Sequence, residues 1–341
     1  MNYEMFTNEI KREVEDIVRK KLGEGTVSIQ NIIKNNNVRM RAISIVRNSD
    51  KATPNIYLRG YYNECKNGRT IKSISEEIFD IYMAGSEGFI SNIDLNDLND
   101  FEKIKDKIFY KLINYDMNKE FLKNVPYIRF LDLAIVFFIM VSCGQDGQAI
   151  AGVKNNNLSD WEIGLTEIRN IAFNNTWKQF PPVIKKMEDI VSEMIIDSIL
   201  DDSGYEDVDC DEDEDGGYIS ENTKYGEYTY EEVQDMVREE VGKIKLDEDM
   251  NMYVMTNSLR SNGAACITYP GVIREFAEKV QKDVYIIPSS VHEVILIPGT
   301  DWNRGEIDDL IHEVNKTQLD PVEILSNHVY VYRLDANRIE F

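Results

Sequence analysis

The run Leu133-Ala134-Ile135-Val136-Phe137-Phe138-Ile139-Met140-Val141 is the most apolar stretch of the chain. A membrane-spanning helix needs about 20 apolar residues, so this run is read as a buried strand or core helix instead. Taken with the residues before it, Tyr127–Val141 reads as a buried strand. A turn at Gly144–Gly147 and a partner strand at Gln148–Val153 follow. The chain can bury such an element. It has 341 residues, 43% of them hydrophobic and 29% charged, which suits a soluble globular protein of two or three domains.

Other segments are read from periodicity. Phe6, Ile10, Val14, Ile17 and Val18 predict an amphipathic helix over 4–22, stopped near Gly23. Strands are expected at Val27–Ile33 and Val38–Val46 around the polar turn Lys34-Asn35-Asn36-Asn37, and again at Asn55–Tyr62. A helix is expected near 71–83, a long one over 101–122, one from a cap at Ser159 or Asp160 to about 177, and one over 183–200 after Pro181-Pro182. Further helices are expected at 230–243, 271–281 and 304–316. Strands are expected at Met252–Thr256, Ala264–Tyr269, Val284–Pro288, Val291–Pro298 and His328–Leu334. The expected class is α+β, with mixed, mainly antiparallel sheets built from hairpin–helix units, flanking helices and an acidic loop. The expected organisation is an N-terminal helix and antiparallel-sheet module over 1–95, a central hairpin–helix region over 96–200, an acidic linker over 201–228, and a C-terminal α/β region over 229–341 packed with the central one.

Charge narrows the function. Lys and Arg number 38 against 61 Asp and Glu, a net charge of −23. Such a chain repels nucleic-acid phosphates and anionic membranes, so neither direct nucleic-acid binding nor membrane binding is expected. Charges begin at Glu4 with no apolar core of signal-peptide length, so secretion is not expected. Cys65, Cys143, Cys210 and Cys266 are far apart in sequence and form no Cys-x-x-Cys pair, which fits reduced thiols in a cytoplasmic protein.

Several strings carry a resemblance. They are Pro288-Ser289-Ser290-Val291-His292-Glu293-Val294, Glu313-Val314-Asn315-Lys316-Thr317 and Leu325-Ser326-Asn327-His328-Val329-Tyr330-Val331-Tyr332. Upstream, Ile56-Tyr57-Leu58 with Tyr61-Tyr62, Asp132–Phe137, and Ala172 with Asn175-Thr176 before Pro181 fit the same picture. Together the chain resembles an uncharacterised family, a domain of unknown function, from gut clostridia, often carried on integrative and conjugative elements. The resemblance implies a bacterial cytoplasmic protein encoded by a mobile element. It implies no activity and no site residues.

The residues themselves offer few sites. The three histidines, His292, His312 and His328, lie in the last 50 residues without metal-ligand spacing. His292 alternates with Val294 and Leu296, which predicts a buried strand position. His312 lies off the stripe of Ile307, Leu310, Ile311 and Val314 and should face solvent. His328 shares a strand face with Tyr330 and Tyr332. Ser290 and His292 are the candidates for a nucleophile and base, with Ser289, Asp301 or His328 nearby. The simpler reading is a turn in which the serines satisfy backbone groups. No Gly-x-Ser-x-Gly elbow and no Gly-rich phosphate loop occurs, so no cofactor is expected. Asp211, Asp213 and Asp215 before Gly216 match the start of a calcium loop. Its twelfth position is Asn222, not Glu, so a solvated acidic loop is favoured and calcium is not expected. The leading expectation is a non-catalytic protein-binding protein whose partner is basic, with DNA mimicry as one form of it. The alternative is a hydrolase using His292 with Ser290 or a nearby carboxylate.

Overall fold

Helix α1 (Tyr3–Lys21) carries Phe6, Ile10, Val14 and Val18 on one face, and all four are buried. Asn2 caps it, its Oδ1 accepting from the Met5 N–H at 2.9 Å, and Arg19, Lys20 and Lys21 complement the dipole of the last turn. The fold is a computed structural model that describes residues 1–47, 53–87, 98, 100–144, 147–202, 224–225, 228–229, 235, 237, 251–299 and 302–341. Contacts divide it into two units. The first is Met1–Thr176 with Asp320–Ile324, and the second is Trp177–Leu319 with Leu325–Phe341. The region expected as a central module, 96–200, is thus divided at Thr176. The acidic segment, including Asp211, Asp213 and Asp215, lies outside the described residues, as do Asp301 and most of the helix expected at 230–243.

In the first unit, β1 (Thr26–Ile33) and β2 (Arg39–Val46) form an antiparallel hairpin with Ile29 opposite Ile43. β3 (Ile56–Tyr57) adds two residues to β2. The strand expected over 55–62 stops there, and α2 (Leu58–Lys66) begins. Leu58, Tyr61, Tyr62 and Cys65 fall at helical spacing, and all four pack on the core built by α1, the hairpin and α3 (Ile71–Glu87).

A second correction concerns 101–122, expected as one helix. Only a single turn, α4 (Phe101–Ile104), is helical before β4 (Ile108–Asn114). Six of the seven β4 residues are buried, as for a strand covered on both faces, although β4 pairs on one edge only, with β6. β4 pairs with the apolar run, Ile108 opposite Ile139 through Asn114 opposite Leu133. After α5 (Lys119–Leu122), the expected strand 127–141 is two strands, β5 (Tyr127–Phe130) and β6 (Leu133–Gly144). They are joined by Leu131-Asp132, with Leu131 at φ 55°. β5 and β7 (Gly147–Gly152) share the edge of β6 opposite β4. The helix expected from Ser159 is also two, α6 (Asn155–Asp160) and α7 (Leu165–Gln179), so Ser159 and Asp160 lie inside a helix rather than capping one. Phe173 of α7 stacks on Tyr110 of β4 with ring centroids 4.2 Å apart, and Thr176 Oγ1 accepts from the Tyr110 N–H at 3.2 Å.

In the second unit the segment after Pro181, expected as helix, starts as β8 (Pro182–Lys186) and only then becomes α8 (Met187–Asp202). β9 (Lys224–Tyr225) and β10 (Tyr228–Thr229) form a short ladder. The main sheet adds β11 (Tyr253–Asn257), β12 (Val284–Pro288), β13 (Val294–Pro298), β14 (Tyr330–Arg333) and β15 (Arg338–Glu340), with α9 (Val272–Val280) and α10 (Arg304–Thr317) as its helices. Its order is β15-β14-β12-β13-β11-β8, and every neighbouring pair is antiparallel. Ile307 and Ile311 of α10 pack with Tyr285, Ile297, Val329 and Val331. Leu310 and Val314, expected in the same stripe, are exposed. The strand expected at Ala264–Tyr269 is replaced by a largely buried 3₁₀ segment, Gly263–Thr268. The fold is a mixed α+β one with antiparallel sheets. Among the described residues no helix is long and apolar enough to cross a membrane.

Candidate functional site

The β12–β13 connection holds the two residues singled out for catalysis. Its hydrogen bonds commit both to the loop. Ser290 Oγ accepts from the His292 N–H at 3.0 Å, and the Ser290 N–H donates to the Glu293 carbonyl at 3.1 Å. This is a serine turn, a local bond that competes with strand pairing. It explains why the strand expected from Val291 begins only at Val294 and why His292 is half-buried on a bend rather than on a strand face. The imidazole Nδ1 accepts from the Asn262 N–H at 3.2 Å, which puts the ring proton on Nε2. The His292 carbonyl accepts from Thr256 Oγ1 at 2.8 Å. Ser289 donates to Glu293 Oε1 at 3.3 Å. The Thr256 hydroxyl and the His292 ring thus hold the loop against β11 and the 3₁₀ segment, while Ser290 Oγ bonds within the loop.

The other candidates are placed differently. His328 Nδ1 lies 3.2 Å from Asp308 Oδ2, and its ring meets Phe341 edge-on at 5.7 Å. Its backbone N–H donates to Ser326 Oγ at 3.0 Å, the same Ser-x-His turn seen at Ser290. His312 is exposed on α10, as its position off the apolar stripe predicts. Burial pushes the Cys266 thiol up to about 12, which keeps it protonated and unreactive at neutral pH. No group of three His, Cys, Asp or Glu side chains among the described residues is arranged to hold a metal.

The first unit contains two features that periodicity does not reveal. One is the Asn35–Asn37 turn, where Asn36 and Asn37 both take φ of 58°. The Asn36 N–H donates to Asn118 Oδ1 at 2.8 Å, and Asn118 Nδ2 donates back to Asn36 Oδ1 at 2.8 Å. Asn118 Nδ2 also reaches the Asn114 carbonyl at 2.8 Å. Asn36 Nδ2 donates to the carbonyls of Pro321 and Ile324 at 2.8 and 2.7 Å, and Asn35 Nδ2 to that of Val322 at 2.7 Å. A hairpin turn is thereby bonded both to the turn after β4 and to a segment nearly 300 residues later, 285 positions in the Pro321 case. The signal in the sequence is the run of three asparagines, residues that tolerate left-handed backbone and carry both donor and acceptor.

The other is Lys111, in the middle of β4 between Tyr110 and Leu112. Its side chain shares a sheet face with Phe109, Ile113, Val136 and Phe138, and its ammonium lies 5.9 Å from the Phe138 ring centroid. Desolvation, reinforced by the charge of Lys34, lowers its pKa from the usual 10.5. The folded state then binds this proton less tightly than the unfolded chain. The cost of the charged form is carried in full below the folded pKa and is relieved as pH rises towards 10.5. Lys111→Met is therefore expected to gain about 1 kcal/mol at neutral pH. The gain should shrink as the pH is raised to about 10, read by urea unfolding of both proteins. A variant less stable than the parent across that range would show the ammonium to be favourably held.

The chain belongs to the family of unknown function DUF5688, matched over residues 3–334. Comparison with curated proteins and with solved structures finds no match.

Proposed function

We propose that the protein is a non-catalytic interaction protein whose partner is another protein of basic character. The observation that carries this reading is the net charge of −23, which steers a basic partner towards the chain and fits an antagonist of a basic nucleic-acid-binding protein. The loop bonds of Ser290 and His292 support it from the other side, because groups committed to backbone partners are placed for structure. On the resemblance described above, the setting is the cytoplasm of a gut clostridium and the gene is cargo of a mobile element. The competing reading is a hydrolase using His292 with Ser290 or a nearby carboxylate.

Affinity capture from the native host, read by mass spectrometry at low and high salt, tests the proposal. The expected result is a basic nucleic-acid-binding protein, lost at salt well above physiological ionic strength and displaced by duplex DNA. Capture that is insensitive to salt and DNA would refute the electrostatic basis. In parallel, His292→Gln is expected to lower thermal stability and partner capture together. A folded, partner-binding variant without biological activity would support the hydrolase.

A further inference from the structure

In the first unit a cleft of about 580 Å³ opens between the turn after β4, helix α5 and the start of β5. Small-molecule sites typically span roughly 300–1,000 Å³, are mostly apolar and carry a few convergent polar groups. This one has that size, with a wall about as polar as it is apolar. Leu122, Val125 and the rings of Tyr115 and Tyr127 supply apolar wall, and Lys119 and Lys123 are its charged members. No Asp or Glu lines it, although acids outnumber bases by 23 in the chain as a whole.

The aromatic wall is held in place. The Tyr115 and Tyr127 rings lie with centroids 6.0 Å apart at 50°, and the neighbouring Tyr115 side chain raises the Tyr127 pKa. The Arg129 guanidinium sits 3.9 Å from the Tyr115 ring centroid, fixed by its Nε–H donating to the Leu131 carbonyl at 3.1 Å. Lys119 pairs with Asp116 at 2.6 Å and Lys123 with Glu120 at 2.7 Å, both one turn apart and solvent-exposed. Exposed pairs of this kind contribute little, so a ligand anion can replace either carboxylate. Lys119, Lys123 and Arg129 place three cations beside the aromatic wall, two of them in exposed pairs with Asp116 and Glu120.

We propose that this cleft binds a small aromatic carboxylate, its ring packed against Tyr115, Tyr127 and Leu122 and its carboxylate held by Lys119 and Lys123. Part of the affinity comes from burying the ring and part from two charge-assisted hydrogen bonds. The site is independent of the protein partner proposed above, since it selects an anion and not a basic surface.

The probe is 2-naphthoate, compared with its neutral isostere naphthalene-2-carboxamide, titrated by calorimetry into the full-length protein. Saturable binding of naphthoate is expected, at least about tenfold tighter than the carboxamide. In the Lys119→Gln/Lys123→Gln variant, whose exposed substitutions should leave the melting temperature unchanged, naphthoate should bind no better than the carboxamide. Tyr127→Ala should weaken both ligands together, because it removes ring contact and no charge. The proposal is overturned if naphthoate shows no saturable binding at millimolar concentration, if the two ligands bind equally, or if the double variant binds naphthoate as the parent does.

Discussion

Asn118→Ala is expected to cost about 3 kcal/mol. The truncation removes the acceptor of the Asn36 N–H and the donor to Asn36 Oδ1, both at 2.8 Å and both buried. It also removes a donor from the Asn114 carbonyl. Each buried group left without its partner costs roughly 1–3 kcal/mol, and the three share one small site, so their costs will not simply add. Asn118→Asp separates the two halves of the pair. The introduced carboxylate still accepts from the Asn36 N–H, but it cannot donate to Asn36 Oδ1 or to the Asn114 carbonyl, and it adds a desolvated charge. That variant should be as unstable as the alanine one at neutral pH and should recover part of the loss at about pH 4, where a protonated carboxyl regains a donor. Urea unfolding followed by circular dichroism reads both. A loss below about 1 kcal/mol for Asn118→Ala would mean that the reciprocal bond contributes little.

Gly263→Ala should be comparably damaging, for a steric reason. An added methyl at residue 263 would overlap Thr256 Oγ1 and lie 2.5 Å from the His292 carbonyl oxygen and 2.7 Å from the Asn257 backbone nitrogen. Two of those atoms are main chain and cannot rotate away. The crowding exists because Thr256 reaches past Gly263 to donate to the His292 carbonyl, which holds the β12–β13 loop on β11. Overpacking typically costs about 1–3 kcal/mol, and contact with backbone places this case at the upper end. Adding Thr256→Ala removes the hydroxyl overlap but leaves both main-chain contacts, so the double variant should stay close to the single one. Full rescue by Thr256→Ala would show that the hydroxyl alone is responsible.

Helix α1, the β1–β2 hairpin, β12, α9 and α10 were legible within a residue or two, because their 3.6- and 2-residue apolar periods are local properties of the chain. The turn at Ser290 was legible as a serine satisfying backbone groups, although its effect on the start of β13 was not. Residues 108–114 were misread as helix because the order Ile-Phe-Tyr-Lys-Leu-Ile-Asn is apolar on both faces and has no clear period. Its seven pairs with β6 decided the matter. At 58–65 a short helical spacing was hidden inside a run of strand-forming tyrosines, and packing against Phe6 and Tyr3 selected the helix.

By itself, then, the sequence determined the elements with a repeating apolar face, the α+β class, and a net charge of −23. The tertiary structure alone decided which segments pair, which asparagines meet, that a lysine sits in an apolar strand, and that tyrosines and lysines from separate elements line one cleft. The physical reason is distance along the chain. Periodicity is set by neighbours three or four residues apart, whereas Asn36 meets Asn118 across 82 positions and Pro321 across 285, and those contacts exist only once the whole unit has closed.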